Sequence, residues 1–396
     1  MAPKTLGVAV IGAGMAGAAH AAAWRAATTV RRPFEEAHVR LVAIADLYEP
    51  LARDVAGRYG YERVETDWRA VAEAEDVDVV SVVVANHLHR EIVEALVAAG
   101  KHVLCEKPLS DSLEEARAMA ELARNADTVV RIGFTFRRAP GLAALRELVE
   151  NGTLGEVFHL NGRYYADYAC SPKAPMTWRF RGAPGSGALA DVGSHLLYAA
   201  EFLAGPIRSV AGAKFRTAIT ERPLPVGTTV GHGLAEVSDE TEPVTNDDWA
   251  GFTAEFEHGS GTLEASRVTP GHPNSLRLEI ACRNGSAIWD QENPAEIQLH
   301  LNDEQTPQYN GFRTVKLGPG QPYVAEGFAM AAPGIGFGQN DGFIFQARAF
   351  LEEVVGMEEP DAWPHNATFD EGLRNMEIID AVAASAAAEG AAVSVD

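Results

Sequence analysis

With 396 residues, 46 % of them hydrophobic, the chain is long enough for two or three domains with sizeable cores. Asp and Glu outnumber Lys and Arg by 55 to 33, and a net charge of −22 repels phosphate backbones and anionic lipid, which excludes nucleic acid and membrane surfaces as partners. Cys105, Cys170 and Cys282 are odd in number and lack metal-ligand or disulfide spacing, so a reducing compartment and no bound metal are expected. No run of about 20 apolar residues is present to span a bilayer. The apolar stretch near the start feeds a glycine turn and not a cleavage site, and a cytoplasmic protein is expected.

Residues 7–11 read as a strand, Gly12-Ala13-Gly14-Met15-Ala16-Gly17 as a glycine turn, and the Ala-rich run to Ala27 as a helix. That order suits a dinucleotide pyrophosphate. Gly12 makes the tight turn, Gly14 lets the backbone come close, Gly17 lets the helix pack, and the helix N-terminus with Met15 and Ala16 aims at the phosphates. By itself the spacing also fits a plain strand–turn–helix. Residues 28–37 look like an inserted loop, followed by a second strand over 39–45 that ends in Asp46. A carboxylate there can accept the adenosine ribose hydroxyls and repels a 2′-phosphate, which favours NAD over NADP; nearby Arg53 is the counter-argument. Asp46 could instead cap the helix that starts near Glu49.

Residues 79–84 form a continuous β-branched run of the kind buried on both faces of a parallel sheet. The run ends in Ala85-Asn86-His87-Leu88-His89, a polar cluster placed to face the cofactor crevice, and a helix continues to Ala99. His87 and His89 also read as cap or surface residues. Residues 102–105 are a further buried strand, stopped by Glu106-Lys107-Pro108, so Lys107 lies over the crevice at a strand's carboxyl end. A cis Lys107–Pro108 peptide is expected to fix that turn; about 5–6 % of X–Pro bonds in folded proteins are cis. Ser112-Leu113-Glu114-Glu115 has the capping-box pattern, and residues 129–134 close a doubly wound parallel α/β sheet. The expected domains are 1–130, a Rossmann unit, and 131–396, an α+β unit with a large open, mainly antiparallel sheet.

In the second part, a helix over 140–150 and a strand over 156–165 lead into an irregular, aromatic segment, 164–184, with Trp178-Arg179-Phe180 at its middle. A long irregular segment of this kind is functional or disordered, and this one is too aromatic for disorder. A helix over 188–198 then carries Asp191 and His195 four apart, which stacks them on one face about 5–6 Å apart at Cβ. An imidazole beside a carboxylate is an oriented base, although the same pair also fits a solvated face. Gly193 inside that helix costs about 1 kcal/mol relative to Ala, which points to something approaching the backbone. Strands follow over 249–257, 262–268, 275–282, 286–290, 296–301 and 312–317, with Asn284-Gly285 as a hairpin turn. Residues 217–248 and 318–342 read as loops, and 343–355 and 369–388 as closing helices. The sequon Asn366-Ala367-Thr368 is read as chance.

Four separated stretches, G-A-G-M-A-G, Ala85-Asn86-His87-Leu88-His89, Glu106-Lys107-Pro108 and Asp191-Val192-Gly193-Ser194-His195, together resemble the Gfo/Idh/MocA family of nicotinamide-dependent sugar and polyol dehydrogenases. The resemblance covers essentially the whole chain. It implies that His195 is the base, Asp191 its partner in a proton relay, and Lys107 a donor that polarises the alcohol oxygen. It also implies that Gly12, Gly14, Met15, Ala16, Asp46, Ala85, Asn86, His89 and Glu106 contact the cofactor, with Trp178-Arg179 reaching the nicotinamide side. Trp178-Arg179-Phe180 before Gly185-Ser186-Gly187, Glu221-Arg222-Pro223-Leu224 and Gly311-Phe312-Arg313-Thr314-Val315 resemble a branch of the family that oxidises a pyranose ring hydroxyl, commonly at C3. The implied substrate is a pyranose, anhydrosugar or glycoside. The rivals are an inositol or polyol dehydrogenase, an enzyme that keeps its NAD and cleaves a glycoside, and a non-catalytic sensor on the same fold. An unperturbed lysine, with a pKa of about 10.4, is a poor base at neutral pH, whereas a histidine near 6.5 is suited to the task. One broad face of the open sheet calls for a second subunit, so a homodimer or homotetramer is expected.

Overall fold

The computed structural model describes residues 4–227 and 235–395. In chain order, β1 (Lys4–Ile11), α1 (Met15–Ala27), β2 (Ala37–Ala45), α2 (Glu49–Tyr59), β3 (Arg63–Glu65), α3 (Trp68–Glu73), β4 (Val79–Val82), α4 (His89–Ala98), β5 (His102–Cys105), α5 (Leu113–Arg124) and β6 (Val130–Ile132) build the first half. Then come α6 (Pro140–Glu150), β7 (Val157–Ala166), α7 (Ser194–Ala204), β8 (Ile207–Arg216), β9 (Glu221–Pro225) and β10 (Val237–Pro243). The chain continues through β11 (Trp249–Phe256), β12 (Ser260–Ser266), β13 (Asn274–Cys282), β14 (Gly285–Asp290), β15 (Glu296–Leu301) and β16 (Arg313–Lys316). It closes with α8 (Val324–Gly327), α9 (Gln339–Val354), α10 (Phe369–Ala387) and β17 (Val393–Ser394).

The first sheet is parallel, in the order β3-β2-β1-β4-β5-β6. Its central strands are apolar runs because helices cover both faces: all four residues of β4 and the last six of β1 are buried. The order reverses between β1 and β4, which is where such sheets bind ligands, beyond the carboxyl ends of the strands. Ser112 caps α5 as its motif predicts, its hydroxyl accepting the Glu115 N–H at 3.3 Å.

The second sheet has the order β16-β15-β14-β13-β7-β12-β11-β8-β17. It is antiparallel except where β7 and β12 run parallel. β11 alternates between buried and more exposed positions, as a strand covered on one face should. β8 was not anticipated, and the reason is local. Its pairing with β11 is irregular near Gly212, which has φ +66°, and this breaks the period-2 pattern that marks a strand. The region expected as a loop, 217–248, contains the antiparallel pair β9–β10; its residues 228–234 lie outside those described.

The chain falls into two compact units, residues 1–138 with 323–331 and 339–376, and residues 139–322 with 332–338 and 377–396. A single cut near residue 130 therefore does not divide it. The physical reason is α9, which packs on α1: Ala347, Phe350 and Leu351 share one buried cluster with Leu6, Val8 and Trp24, and the Trp24 and Phe350 rings meet edge-on at 5.9 Å. Asn366 is buried, accepting from Arg138 and donating to the Gln346 carbonyl, so the sequon is closed to a glycan. Among the described residues no helix is long and apolar enough to cross a membrane.

Candidate active site

In the first unit the three motif glycines have distinct roles. Gly12 has φ +99°, and a Cβ on it would fall 1.9 Å from the Val83 carbonyl oxygen; on Gly17 it would fall 1.8 Å from that of Gly12. Gly14 is different, because nothing lies within 4 Å of where its Cβ would be. The open space is beside the N-terminus of α1, whose first turn carries no acidic residue and whose N-cap makes no side-chain hydrogen bond. Backbone N–H groups around Met15 and Ala16 are thus left for an anion, and the cradle fits a dinucleotide pyrophosphate.

Asp46 follows β2, its Oδ2 accepting the Ala13 N–H at 2.7 Å and its Oδ1 the Tyr48 N–H at 2.8 Å. The carboxylate is thereby tied to the glycine loop. Arg53, the cation that argued for NADP, pairs with Glu49 one turn away. Ala85 and Asn86 lie half-buried just beyond β4, and His87 is exposed.

His89 corrects an expectation. It is fully buried, with Nδ1 3.1 Å from the Pro108 carbonyl oxygen and 3.3 Å from that of Leu109, and Nε2 3.2 Å from that of Val84. It is a staple between β4 and the segment after β5, not a group that faces cofactor. Burial pushes its pKa below the ordinary histidine value despite those carbonyls. The unfolded chain therefore binds a proton that the folded one refuses once the pH drops below about 6.5, and stability is lost from there down through the lowered folded value. The melting temperature should decline over that range, and less steeply in His89→Gln. Burial depresses His102 as well, which leaves a residual slope. Equal slopes in the two proteins would exclude His89 as the source.

Lys107 is half-buried at the end of β5, and its peptide to Pro108 is cis, as expected. The neighbouring Glu106 is 9 % exposed and accepts the Lys107 N–H at 3.2 Å.

In the second unit the helix expected over 188–198 opens as a π-helical turn, Leu189–Gly193, before α7 begins at Ser194. Such turns concentrate at functional sites. Asp247 organises its start: Oδ1 accepts the N–H groups of Gly185 (2.7 Å) and Gly187 (2.9 Å), and Oδ2 that of Leu189 (2.9 Å). Gly187 must be glycine here, since a Cβ would lie 2.0 Å from the Asp247 carbonyl oxygen. Gly193 is explained by packing, its Cβ position being 3.0 Å from Leu189 and 3.3 Å from Ala265 of β12. What approaches this backbone is the sheet.

Asp191 Oδ2 accepts the Tyr168 hydroxyl at 2.5 Å. Burial and the Asp191 charge push the Tyr168 pKa well up, so it stays a donor. His195, half-buried in the first turn of α7, has its ring centroid 6.0 Å from that of Tyr164, whose pKa is also raised by burial and by Asp191. Asp191, His195, Tyr164 and Tyr168 therefore form one cluster. Arg179 stacks on Trp178 at 4.4 Å, and its charge reaches Tyr168. The buried Arg179 Nε has no hydrogen-bond partner among the described residues, and this suits a bound acceptor.

The Trp178–Phe180 turn is anchored from beneath. The guanidinium groups of Arg222 (3.8 Å) and Arg267 (4.7 Å) both pack on the Phe180 ring. Arg267, fully buried, binds Asp248 Oδ1 at 2.8 Å, Asn246 Oδ1 at 2.8 Å and the Arg179 carbonyl at 2.7 Å. Sequence reasoning missed Tyr168, Asp247, Asp248 and Arg267. A lone arginine directly after one strand and two adjacent carboxylates before another were the available signals. Among the described residues no cluster of three or more His, Cys, Asp or Glu could hold a metal ion.

The reversed parallel sheet and its glycine cradle are those of an NAD-binding oxidoreductase. Residues 6–134 match the GFO_IDH_MocA oxidoreductase family, NAD-binding Rossmann fold, and residues 142–288 match the GFO/IDH/MocA C-terminal domain. The chain belongs to the Gfo/Idh/MocA family. It is 34 % identical to the levoglucosan dehydrogenase of Pseudarthrobacter phenanthrenivorans, over 98 % of this chain and 97 % of that one. It is also 34 % identical to the D-glucoside 3-dehydrogenase of Escherichia coli, over 56 % of this chain and 61 % of that one. Among solved structures, a levoglucosan dehydrogenase in complex with NADH and levoglucosan superposes with a TM-score of 0.86 at 32 % identity, covering 99 % of this chain and 100 % of that one.

Proposed function

We propose that this protein oxidises a secondary ring hydroxyl, at C3, of a pyranose in the form of an anhydrosugar or glucoside. The observation that carries the reading is the end-to-end likeness to levoglucosan dehydrogenase, which spans both units. The D-glucoside 3-dehydrogenase supports the choice of carbon.

In this reading His195 removes the hydroxyl proton, and Asp191, steadied by Tyr168, holds the resulting imidazolium. Lys107 donates to the oxygen and stabilises the developing alkoxide. Bound NAD supplies the hydride acceptor. Gly12, Gly14, Met15 and Ala16 hold its phosphates, Asp46 its adenosine ribose, and Ala85, Asn86, Glu106, Trp178 and Arg179 its nicotinamide half. His89 supports them from behind.

The test is NADH formation on a panel of anhydrosugars, glucosides and inositols, each with NAD and NADP. Activity confined to pyranoses with NAD supports the reading. Preference for inositols, or glycoside cleavage without net NADH, would replace it. We also infer a homodimer or homotetramer joined through the outer face of the second sheet, where Phe158 is half-exposed and Tyr165, Trp249 and Glu264 line a broad depression of about 650 Å³. Sedimentation as a monomer at micromolar concentration would overturn that.

A further inference from the structure

We propose that His20, a residue of α1 outside every motif above, is a positioning residue that sets the Glu106 carboxylate for the ribose hydroxyls of the nicotinamide nucleotide. The proposal rests on the reading of Glu106 as a cofactor-facing group. Its basis is a buried chain of hydrogen bonds whose direction is fixed by chemistry at both ends. The Trp24 indole N–H can only donate. It does so to Ser81 Oγ, at 2.8 Å. Ser81 is fully buried, and its Oγ also lies 3.0 Å from His20 Nδ1. The Glu106 carboxylate can only accept, so His20 Nε2, 2.9 Å from its Oε1, carries a proton and donates to it. Glu106 Oε2 accepts the Lys107 N–H at 3.2 Å.

The links from Trp24 to Glu106 are all buried. His20 is 2 % exposed and its ring meets Phe343 edge-on at 5.2 Å. The space for the carboxylate is reserved by Gly133, on which a Cβ would stand 2.6 Å from Glu106 Oε1.

The chain crosses three elements. Trp24 and His20 sit one turn apart on the helix that begins at the glycine loop, Ser81 lies on β4, and Glu106 ends β5. The helix that receives the pyrophosphate is thereby tied to the strand end that carries Glu106 and Lys107. One proton from His20 and one from the Lys107 backbone hold the two oxygens. A carboxylate has about four lone-pair sites, so the remaining ones are left to accept hydroxyl donors. An anionic acceptor held this way recognises a ribose, not a phosphate.

The experiment is fluorescence titration with NADH of the full-length protein and its variants His20→Leu, His20→Gln, His20→Asn, Glu106→Gln and His20→Leu/Glu106→Gln, with melting temperatures in parallel. The amide of Gln can replace the Nε2 donor; that of Asn sits where Nδ1 was. Glu106→Gln and His20→Leu should each weaken NADH binding at least about tenfold, His20→Gln should recover most of the loss, and His20→Leu should cost less than about twofold on top of Glu106→Gln. Wild-type affinity in Glu106→Gln would remove the reading of Glu106 itself. A weakened Glu106→Gln beside an unchanged His20→Leu, or losses that simply add in the double variant, would overturn the role of His20 alone. If His20→Leu does not fold, the Gln and Asn variants decide: equal affinity in both overturns the proposal, and retention in Gln alone upholds it.

Discussion

Replacing His195 by alanine is expected to lower turnover at least about 100-fold while leaving NADH binding nearly intact. A positioned base typically contributes 10²–10⁴-fold, and the two tyrosines beside His195 cannot take over. Tyr164 and Tyr168 are held as hydroxyls by burial and by the Asp191 charge, and so cannot accept a proton near neutral pH. Asp191 is engaged by Tyr168. NADH binding is expected to survive because the glycine cradle, Asp46 and Glu106 belong to the first unit, whereas His195 belongs to the second. Steady-state rates and NADH titration on the same preparation check both halves. Unchanged turnover would remove His195 from the chemistry, and lost NADH binding would recast it as a cofactor ligand.

The largest loss of stability is expected from Arg267→Met. Arg267 and Asp248 are both fully buried, and breaking such a pair by removing one partner costs about 3–5 kcal/mol, because a charge is left without compensation. Asp248 would keep the N–H groups of Ala218 and Ile219 on Oδ2, at 2.8 and 3.0 Å, so the cost should fall toward the lower end of that range. For a domain of this size, 3–5 kcal/mol is roughly 6–20 °C in melting temperature. The variant should also lose turnover through the loosened Arg179 carbonyl and the loss of one of the two cations packed on Phe180. A scanning calorimetry trace within a degree or two of wild type would show that water or a neighbour compensates Asp248.

How much of this was legible in the sequence depended on how local each feature is. The glycine turn, the Ser112 cap and the β13–β14 hairpin are set by neighbours within a few residues and were found, although the hairpin turns on Arg283-Asn284, one residue earlier than expected, and Glu115 accepts from Ser110 and not from the Ser112 N–H. The continuous run of β4 reported burial on both faces directly. Features fixed by distant partners were not legible. His89 looked like a polar residue at a crevice because its three carbonyl neighbours come from Val84, Pro108 and Leu109, two of them a strand away. Gly193 looked like a site for an approaching ligand because Ala265, which occupies that space, is far along the chain. β8 was hidden by an irregularity at Gly212, and the buried support of the Trp178 turn by the wide spacing of Arg222, Asn246, Asp248 and Arg267. Lys107 and the Asp191–His195 pair were singled out by position and spacing; the resemblance, with the chemistry of a lysine against a histidine, then separated their roles.

The docking of α9 on α1 carries a consequence for how the protein is born. Trp24 leaves the ribosome early, and Phe350, which meets its indole ring edge-on, leaves near the end. At about 5–20 residues per second, the interval is on the order of tens of seconds. Throughout that wait the apolar side of α1 has no α9 to cover it, while the strands of the second sheet are being made and can already pair among themselves. The half that holds NAD is begun first and completed only when α9 has emerged, so the nascent chain passes a long window in which a chaperone, or an unwanted neighbour, can reach the back of the glycine loop's own helix.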